Sequence, residues 1–317
     1  MRIAIFGSGG VGGYFGGRLA ESGADVTFIA RGTHLQAMKS AGLRVDSIKG
    51  DFLVHPVKAT DNVSDASIFD VVVSSVKAWQ VAESAHTLSA IVGPQTFILT
   101  LQNGVEAPGE YAKIFGNEKV VPGLCHIISS VIGPGHIRHS GAEPRIAFGE
   151  SNNEKSARTE KLRDLFEKSG IRVTIPENIQ TALWEKFLFI ASLSGMGAVT
   201  RAPAGILRSL PETRKMLESA MLEIFELARV SGVALSDDII QKTMAFVDSL
   251  PGHGTASMQR DIMAGRPSEL EAQNGAVARI AANKKIPAPV NEFIYKTLLP
   301  LELIARGKIE YPGNGVL

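Results

Sequence analysis

Several short stretches of this chain combine residue types and spacings that can do chemistry. The first is Gly7-Ser8-Gly9-Gly10-Val11-Gly12, which fits G-x-G-x-x-G. It follows the apolar run Arg2–Phe6 and opens Val11–Ser22, which reads as a helix. In that setting the first glycine makes a tight turn and the second lets backbone approach a pyrophosphate. The third lets the helix pack on the strand. Bare amides at the helix start then bind phosphate. A plain glycine-rich turn would give the same letters, but the flanking strand and helix favour a dinucleotide loop. The next strand, Asp25–Ala30, ends at Arg31 with no acid to accept from ribose hydroxyls. A guanidinium suits a 2′-phosphate, so Arg31 favours NADP(H) over NAD. The plain alternative is a solvated arginine at a strand end.

A second set of polar residues follows two further strands. Val76-Lys77-Ala78-Trp79-Gln80 comes after a triple-valine run, and Gln102-Asn103-Gly104 after Thr96–Leu101. Both lie at carboxyl ends of strands, the edge where open α/β sheets bind ligands. Turns and helix caps would account for either alone. Lys186 lies among apolar residues in Leu183-Trp184-Glu185-Lys186-Phe187. So placed, it either donates a proton or hydrogen bond to a carbonyl or snorkels to the surface. On a helix, Ile190 and Ser194 share its face. Ser257 and Glu269 lie further on, the latter in Arg266-Pro267-Ser268-Glu269-Leu270-Glu271. Ser268 and Glu271 have capping-box spacing, and Glu269 would then sit in a first helical turn.

These residues need a frame, and the rest of the chain supplies one. Strand and helix signals alternate from Arg2 to Ile175, predicting βαβ units and a parallel sheet. Thr33 to Gln36 has capping-box spacing for a helix to Ala41. Val120–Val131 and His136–Gly149 read as a hairpin turning at Gly133-Pro134-Gly135. Beyond Pro176 the pattern is helical: Ile179–Leu207, Glu212–Ser231, Asp237–Ser249, Ser268–Asn283 and Pro289–Arg306. The expectation is an α/β fold: a Rossmann-type parallel-sheet domain over 1–176 and an all-helical domain over 177–317. The chain's 317 residues suit two domains.

Composition excludes other classes. There are 33 basic and 32 acidic residues, so no global charge points to nucleic acid or an anionic membrane. The single Cys125 excludes an intramolecular disulfide and any multi-cysteine metal site. His126, His136 and His139 share the hairpin, but no carboxylate or cysteine pattern supports a metal there. The longest apolar stretch, Phe187–Val199, is interrupted by serines and glycines and falls short of a membrane span. With no signal-peptide pattern, a cytoplasmic protein is expected. The apolar stripes of the helical half fit either a homodimer or a self-contained domain.

Taken together, the segments resemble the ketopantoate reductase (2-dehydropantoate 2-reductase) family. The resemblance rests on Gly7-x-Gly9-x-x-Gly12, Arg31, Lys77-Ala78-Trp79-Gln80, Gln102-Asn103-Gly104, Trp184-x-Lys186, and Ser257-Met258-x-x-Asp261 followed by Glu269. They occur in family order over nearly the whole chain. The resemblance implies an active site in a cleft between the two domains and NADPH held by the glycine loop and Arg31. It puts Lys77 and Gln80 near the adenosine and phosphate side, and Asn103 near the nicotinamide ribose and substrate. It makes Lys186 the catalytic lysine, Glu269 a second catalytic or hydroxyl-binding group, and Ser257 a ligand for the carboxylate of a 2-oxo acid. Three substrate-facing positions depart from the family's usual asparagines: Ile190, Ser194 and Gly254. The implied reaction is reduction of ketopantoate. The alternatives are another 2-oxo acid or ketone, and a non-catalytic NADPH sensor.

Overall fold

The computed structural model describes residues 1–63 and 68–310. Residues 311–317, the end of the expected second domain, lie outside them. The chain forms two compact units. One comprises Met1–Gln102 and Glu106–Ala182; the other takes Asn103–Val105 with Leu183 onward.

The α/β unit is built on a six-stranded parallel sheet. Its strands are β1 (Arg2–Phe6), β2 (Asp25–Ile29), β5 (Ala59–Thr60), β6 (Val71–Ser74), β7 (Phe97–Thr100) and β8 (Val120–Val121). Their order is β5-β2-β1-β6-β7-β8. Such strands read as continuous apolar runs because both faces are covered. Accordingly Ile3, Ala4, Ile5 and Val71 to Val73 are all fully buried. Ile3, Ile5, Val71 and Val73 join one core with α1 (Gly10–Glu21), whereas Ala4, Phe6 and Val72 join another with α3 (Val81–Leu88) and α4 (Ala107–Phe115). Helix α1 approaches closely because its inner face is glycine: a Cβ on Gly16 would stand 2.6 Å from Ile5 Cγ1. Helix α2 (Gly32–Ala41) follows β2.

The same unit holds a second sheet of β3 (Leu43–Ser47), β4 (Phe52–Val54), β9 (Gly123–Gly133), β10 (His136–Phe148) and β11 (Arg172–Thr174). The expected hairpin is β9 against β10, antiparallel, but its first arm begins at Gly123: Val120 and Val121, expected in it, form β8 beside β7 in the first sheet. Helix α5 (Ala157–Lys168) leads to β11. Strands β3, β4 and β5 and helix α4 go beyond the sequence reading.

The second unit shows only helices among the described residues. They are the body of α6 (Ile179–Thr200), then α7 (Ala204–Ser209), α8 (Pro211–Val230), α9 (Ile239–Ser249), α10 (Ser257–Met263), α11 (Asn274–Lys284) and α12 (Pro289–Ala305). They share one apolar core, which includes Trp184, Phe187, Met221, Val277 and Leu298.

Four further local expectations are corrected. The span Ile179–Leu207 is two helices, broken where Arg201 takes φ 56° before Pro203. The helix expected from Ser268 begins only at Asn274. Helix α2 starts at Gly32 without a side-chain cap, so Thr33 and Gln36 form no capping box. The serines and glycines of Phe187–Val199 do not interrupt α6, which is long and apolar enough to cross a membrane; 67% of its most apolar window is nonetheless buried inside the protein.

Candidate functional site

The glycine loop leaves the carboxyl end of β1 and enters α1. Gly7 takes φ +99°, and a Cβ there would stand 2.7 Å from Val76 N. A Cβ on Gly12 would collide with the Gly7 carbonyl oxygen and with Ser75 Oγ. Gly9 differs: a Cβ there meets nothing within 4 Å. The first and third glycines thus serve the fold, while the second leaves its face open to a ligand. No side chain caps α1 at Gly9, and no acid occupies its first turn. The positive end of the helix is therefore left for an anion. These features fit a dinucleotide pyrophosphate. Ser8 Oγ donates to Ile29 O at 3.0 Å, tying the loop to the end of β2. Gly10 and Val11 are half-buried in the first turn of α1.

The other candidates of this unit occupy the same sheet edge. Arg31 is exposed just past β2, as the residue before α2. Lys77 precedes and Gln80 ends a 3-10 turn after β6, where Gln80 Oε1 accepts from the Lys77 amide at 3.2 Å. Ser75, which the sequence reading passed over, donates from Oγ to Gly7 O at 2.7 Å and braces the loop. Its place directly after a buried strand was the available signal. Beneath the edge, Gln102 Nε2 donates to Ser74 Oγ at 2.8 Å, and Ser74 Oγ pairs with Tyr111 Oη at 2.7 Å. Burial pushes the Tyr111 phenol up to about 12, so it stays neutral and the network uncharged.

Asn103 belongs to the helical unit. There its Nδ2 donates to Glu269 Oε2 at 2.8 Å, across 166 residues of sequence. The contact is close because Gly104 lies against the Ala272 carbonyl: a Cβ on Gly104 would stand 2.6 Å from that oxygen. Glu269 is 4% exposed. Its backbone is not helical, so the first-turn reading is corrected. Ser268 and Glu271 form no capping box either. Ser268 Oγ donates to Glu302, and Glu271 accepts from Tyr295 Oη at 2.8 Å and Arg279 Nη1 at 3.0 Å.

Lys186 is half-buried on α6, between the buried Trp184 and Phe187. Among the described residues no carboxylate pairs with its ammonium. Its neighbour Glu185 is half-buried, and burial raises its carboxyl above the ordinary range, against a smaller opposing pull from Lys242. Ile190 is half-buried and Ser194 fully buried, one and two turns further along α6. Among the described residues Ser194 Oγ has no hydrogen-bond partner. Ser257 is half-buried at the first residue of α10. The structure thus brings Asn103 onto Glu269 directly.

Comparison with known proteins identifies the family. Residues 3–153 match the family described as Ketopantoate reductase PanE/ApbA, and residues 178–302 match its C-terminal counterpart. An uncharacterized oxidoreductase, YkpB, of Bacillus subtilis is 30% identical over 94% of this chain and 98% of its own. A 2-dehydropantoate 2-reductase of Nostoc is 29% identical over 94% of each. The crystal structure of 2-dehydropantoate 2-reductase from Geobacter metallireducens superposes with a TM-score of 0.89 at 30% identity, covering 95% of this chain and 99% of that one. The loop, the sheet edge and these matches over both units make the chain an oxidoreductase of the ketopantoate reductase family.

Proposed function

We propose that the protein reduces the ketone of a 2-oxo acid with NADPH, with ketopantoate as substrate and pantoate as product. The observation that carries this reading is the bond between Asn103 and Glu269 in the same unit as Lys186. A protein that only sensed a dinucleotide would need no buried carboxylate held by an amide. In this reading residues 1–176 hold the cofactor and 177–317, joined by Asn103, carry the carbonyl chemistry.

The glycine loop would seat the pyrophosphate, Arg31 the 2′-phosphate, and Lys77 and Gln80 the adenosine side. Bound NADPH supplies a hydride to the ketone carbon. Lys186 then has two tasks. Its ammonium stabilises charge growing on the ketone oxygen, and it delivers the proton that completes the alcohol. Its half-buried apolar setting strengthens that interaction over the same contact in water. Glu269 accepts from a substrate hydroxyl, with Asn103 fixing one carboxylate oxygen. Ser257 donates to the substrate carboxylate.

The test is NADPH consumption with ketopantoate and then bulkier 2-oxo acids such as phenylglyoxylate, with Lys186→Ala beside the native protein. Turnover of ketopantoate that falls at least a hundredfold in the variant is expected. Turnover of only the bulkier acids would replace the substrate. NADPH binding with no turnover anywhere would refute the reading in favour of a sensor.

A further inference from the structure

Glu269 lies in a turn between α10 and α11, where its carbonyl accepts from the Ala272 amide at 3.1 Å and the Gln273 amide at 3.0 Å, while its N-terminal side has no helix to hold it. The residue before it, Ser268, is fully buried, and α12 takes hold of all its polar groups. Both carboxylate oxygens of Glu302 accept from the Ser268 amide at 3.1 Å, and Glu302 Oε2 also accepts from Ser268 Oγ at 2.5 Å. Arg306 Nη2 donates to the Ser268 carbonyl at 2.9 Å, and Arg306 Nε donates to Glu302 Oε1 at 2.6 Å. Ser268 Oγ in turn accepts from the Leu270 amide at 3.2 Å, which spans Glu269. Glu302 is 1% exposed. A carboxylate so buried is costly unless paired and fully hydrogen-bonded. Here its charge is satisfied by its helix neighbour and by the one residue that precedes Glu269.

We propose that Glu302 and Arg306 are positioning residues: an ion pair at the C-terminal end of α12, its carboxylate buried and its guanidinium half-buried just past the helix, that clamps Ser268 and so aims the Glu269 carboxylate. The inference rests on the working role given to Glu269 above. Asn103 holds the carboxylate at its tip, and the clamp holds the backbone at its root. Charge-assisted bonds suit this task because they are short and directional. Misplacing a reacting group by about 1 Å can cost about a hundredfold in rate.

The experiment compares native protein, Ser268→Ala, Ser268→Thr, Glu269→Gln and the Ser268→Ala/Glu269→Gln double variant. Ser268→Ala is chosen because Glu302 keeps Arg306 and the amide of residue 268, so the buried charge stays paired. Turnover of ketopantoate, or of phenylglyoxylate where that is faster, gives kcat and KM separately, and fluorescence gives NADPH affinity. The clamp predicts a kcat about 10- to 100-fold lower in Ser268→Ala with NADPH affinity unchanged. Ser268→Thr should restore most of it, and the double variant should be no slower than Glu269→Gln. Crystal structures provide a readout apart from activity: the Asn103–Glu269 bond should lengthen beyond 3.5 Å in Ser268→Ala. Native kcat in Ser268→Ala, or losses that multiply in the double variant, would overturn the clamp alone. A Glu269→Gln protein at native rate would overturn the role of Glu269 and the clamp with it.

Discussion

A methyl group added at Gly9 and one added at Gly12 should do opposite things. Gly9 has φ −71° and ψ −159°, which alanine adopts freely, and its Cβ would enter open space. The apo protein should therefore be unharmed by Gly9→Ala and gain about 0.4–1 kcal/mol from a stiffer unfolded chain. Yet the open face is where a pyrophosphate must approach the amides. Displacing one bond to a charged acceptor costs about 1.5–3 kcal/mol, so NADPH affinity should fall about 10- to 150-fold at about 1.4 kcal/mol per decade. Gly12→Ala drives its Cβ into the Gly7 carbonyl and to 2.9 Å from Ile5 Cγ2. Neither backbone nor a fully buried isoleucine can yield, so overpacking should destabilise the apo protein by about 1–3 kcal/mol or more. Thermal melting without ligand reads the stability effects, and NADPH fluorescence reads binding. A Gly9→Ala protein with native NADPH affinity would refute the placement of the pyrophosphate. A Gly12→Ala protein melting at the native temperature would refute the packing argument.

Two further outcomes follow from single groups. Arg31 is exposed at the end of β2; losing a charge-assisted contact to a 2′-phosphate should weaken NADPH binding about 10- to 150-fold in Arg31→Ala while leaving NADH unchanged, and equal losses for both cofactors would remove Arg31 from phosphate recognition. The Glu185 carboxyl is raised by burial, so its ionised form is disfavoured only in the folded protein and stability falls as pH rises from the ordinary carboxylate value through the raised one. Glu185→Gln should thus raise Tm at pH 7 and leave it unchanged below pH ~4, and a Tm gain independent of pH would refute burial as the cause.

The α/β half was largely legible because its signals are local. A doubly buried parallel strand must be apolar throughout, as Val71 to Val73 are, and a loop packed against backbone must be glycine. Strand β3 hid because its apolar face is only Leu43 and Val45, with the exposed Arg44 between them and the polar Asp46 and Ser47 after. The same limit explains Ser268 to Gln273. A capping-box spacing was present there, but the Ser268 amide that Glu271 would cap is taken by Glu302, 34 residues away, and Glu271 turns to Tyr295 and Arg279 instead. Local propensity cannot anticipate a buried charge arriving from another helix. The bond from Asn103 to Glu269 was beyond spacing arguments for the same reason, although both residues were singled out individually.

In the proposed reading, substrate choice turns on α6. Ile190 lies one turn beyond Lys186 and is half-buried, in a position where the family's usual asparagine would meet the polar end of ketopantoate. Ser194, a turn further, is fully buried, its hydroxyl unpartnered among the described residues, so in this reading it would have to rearrange to take over that contact. An apolar side chain at 190 instead favours an apolar substituent on the 2-oxo acid. Ile190→Asn should therefore gain one neutral hydrogen bond to a substrate hydroxyl, worth about 0.5–1.5 kcal/mol, or about 2- to 12-fold. It should lose contact with an aryl group at the same time. The readout is the ratio of kcat/KM for ketopantoate to that for phenylglyoxylate, which cancels any common effect on folding or cofactor binding. A rise in the ratio places residue 190 against the substrate. A ratio that does not move means this face of α6 points elsewhere and that specificity is set by other residues, with Ser257 the first to vary.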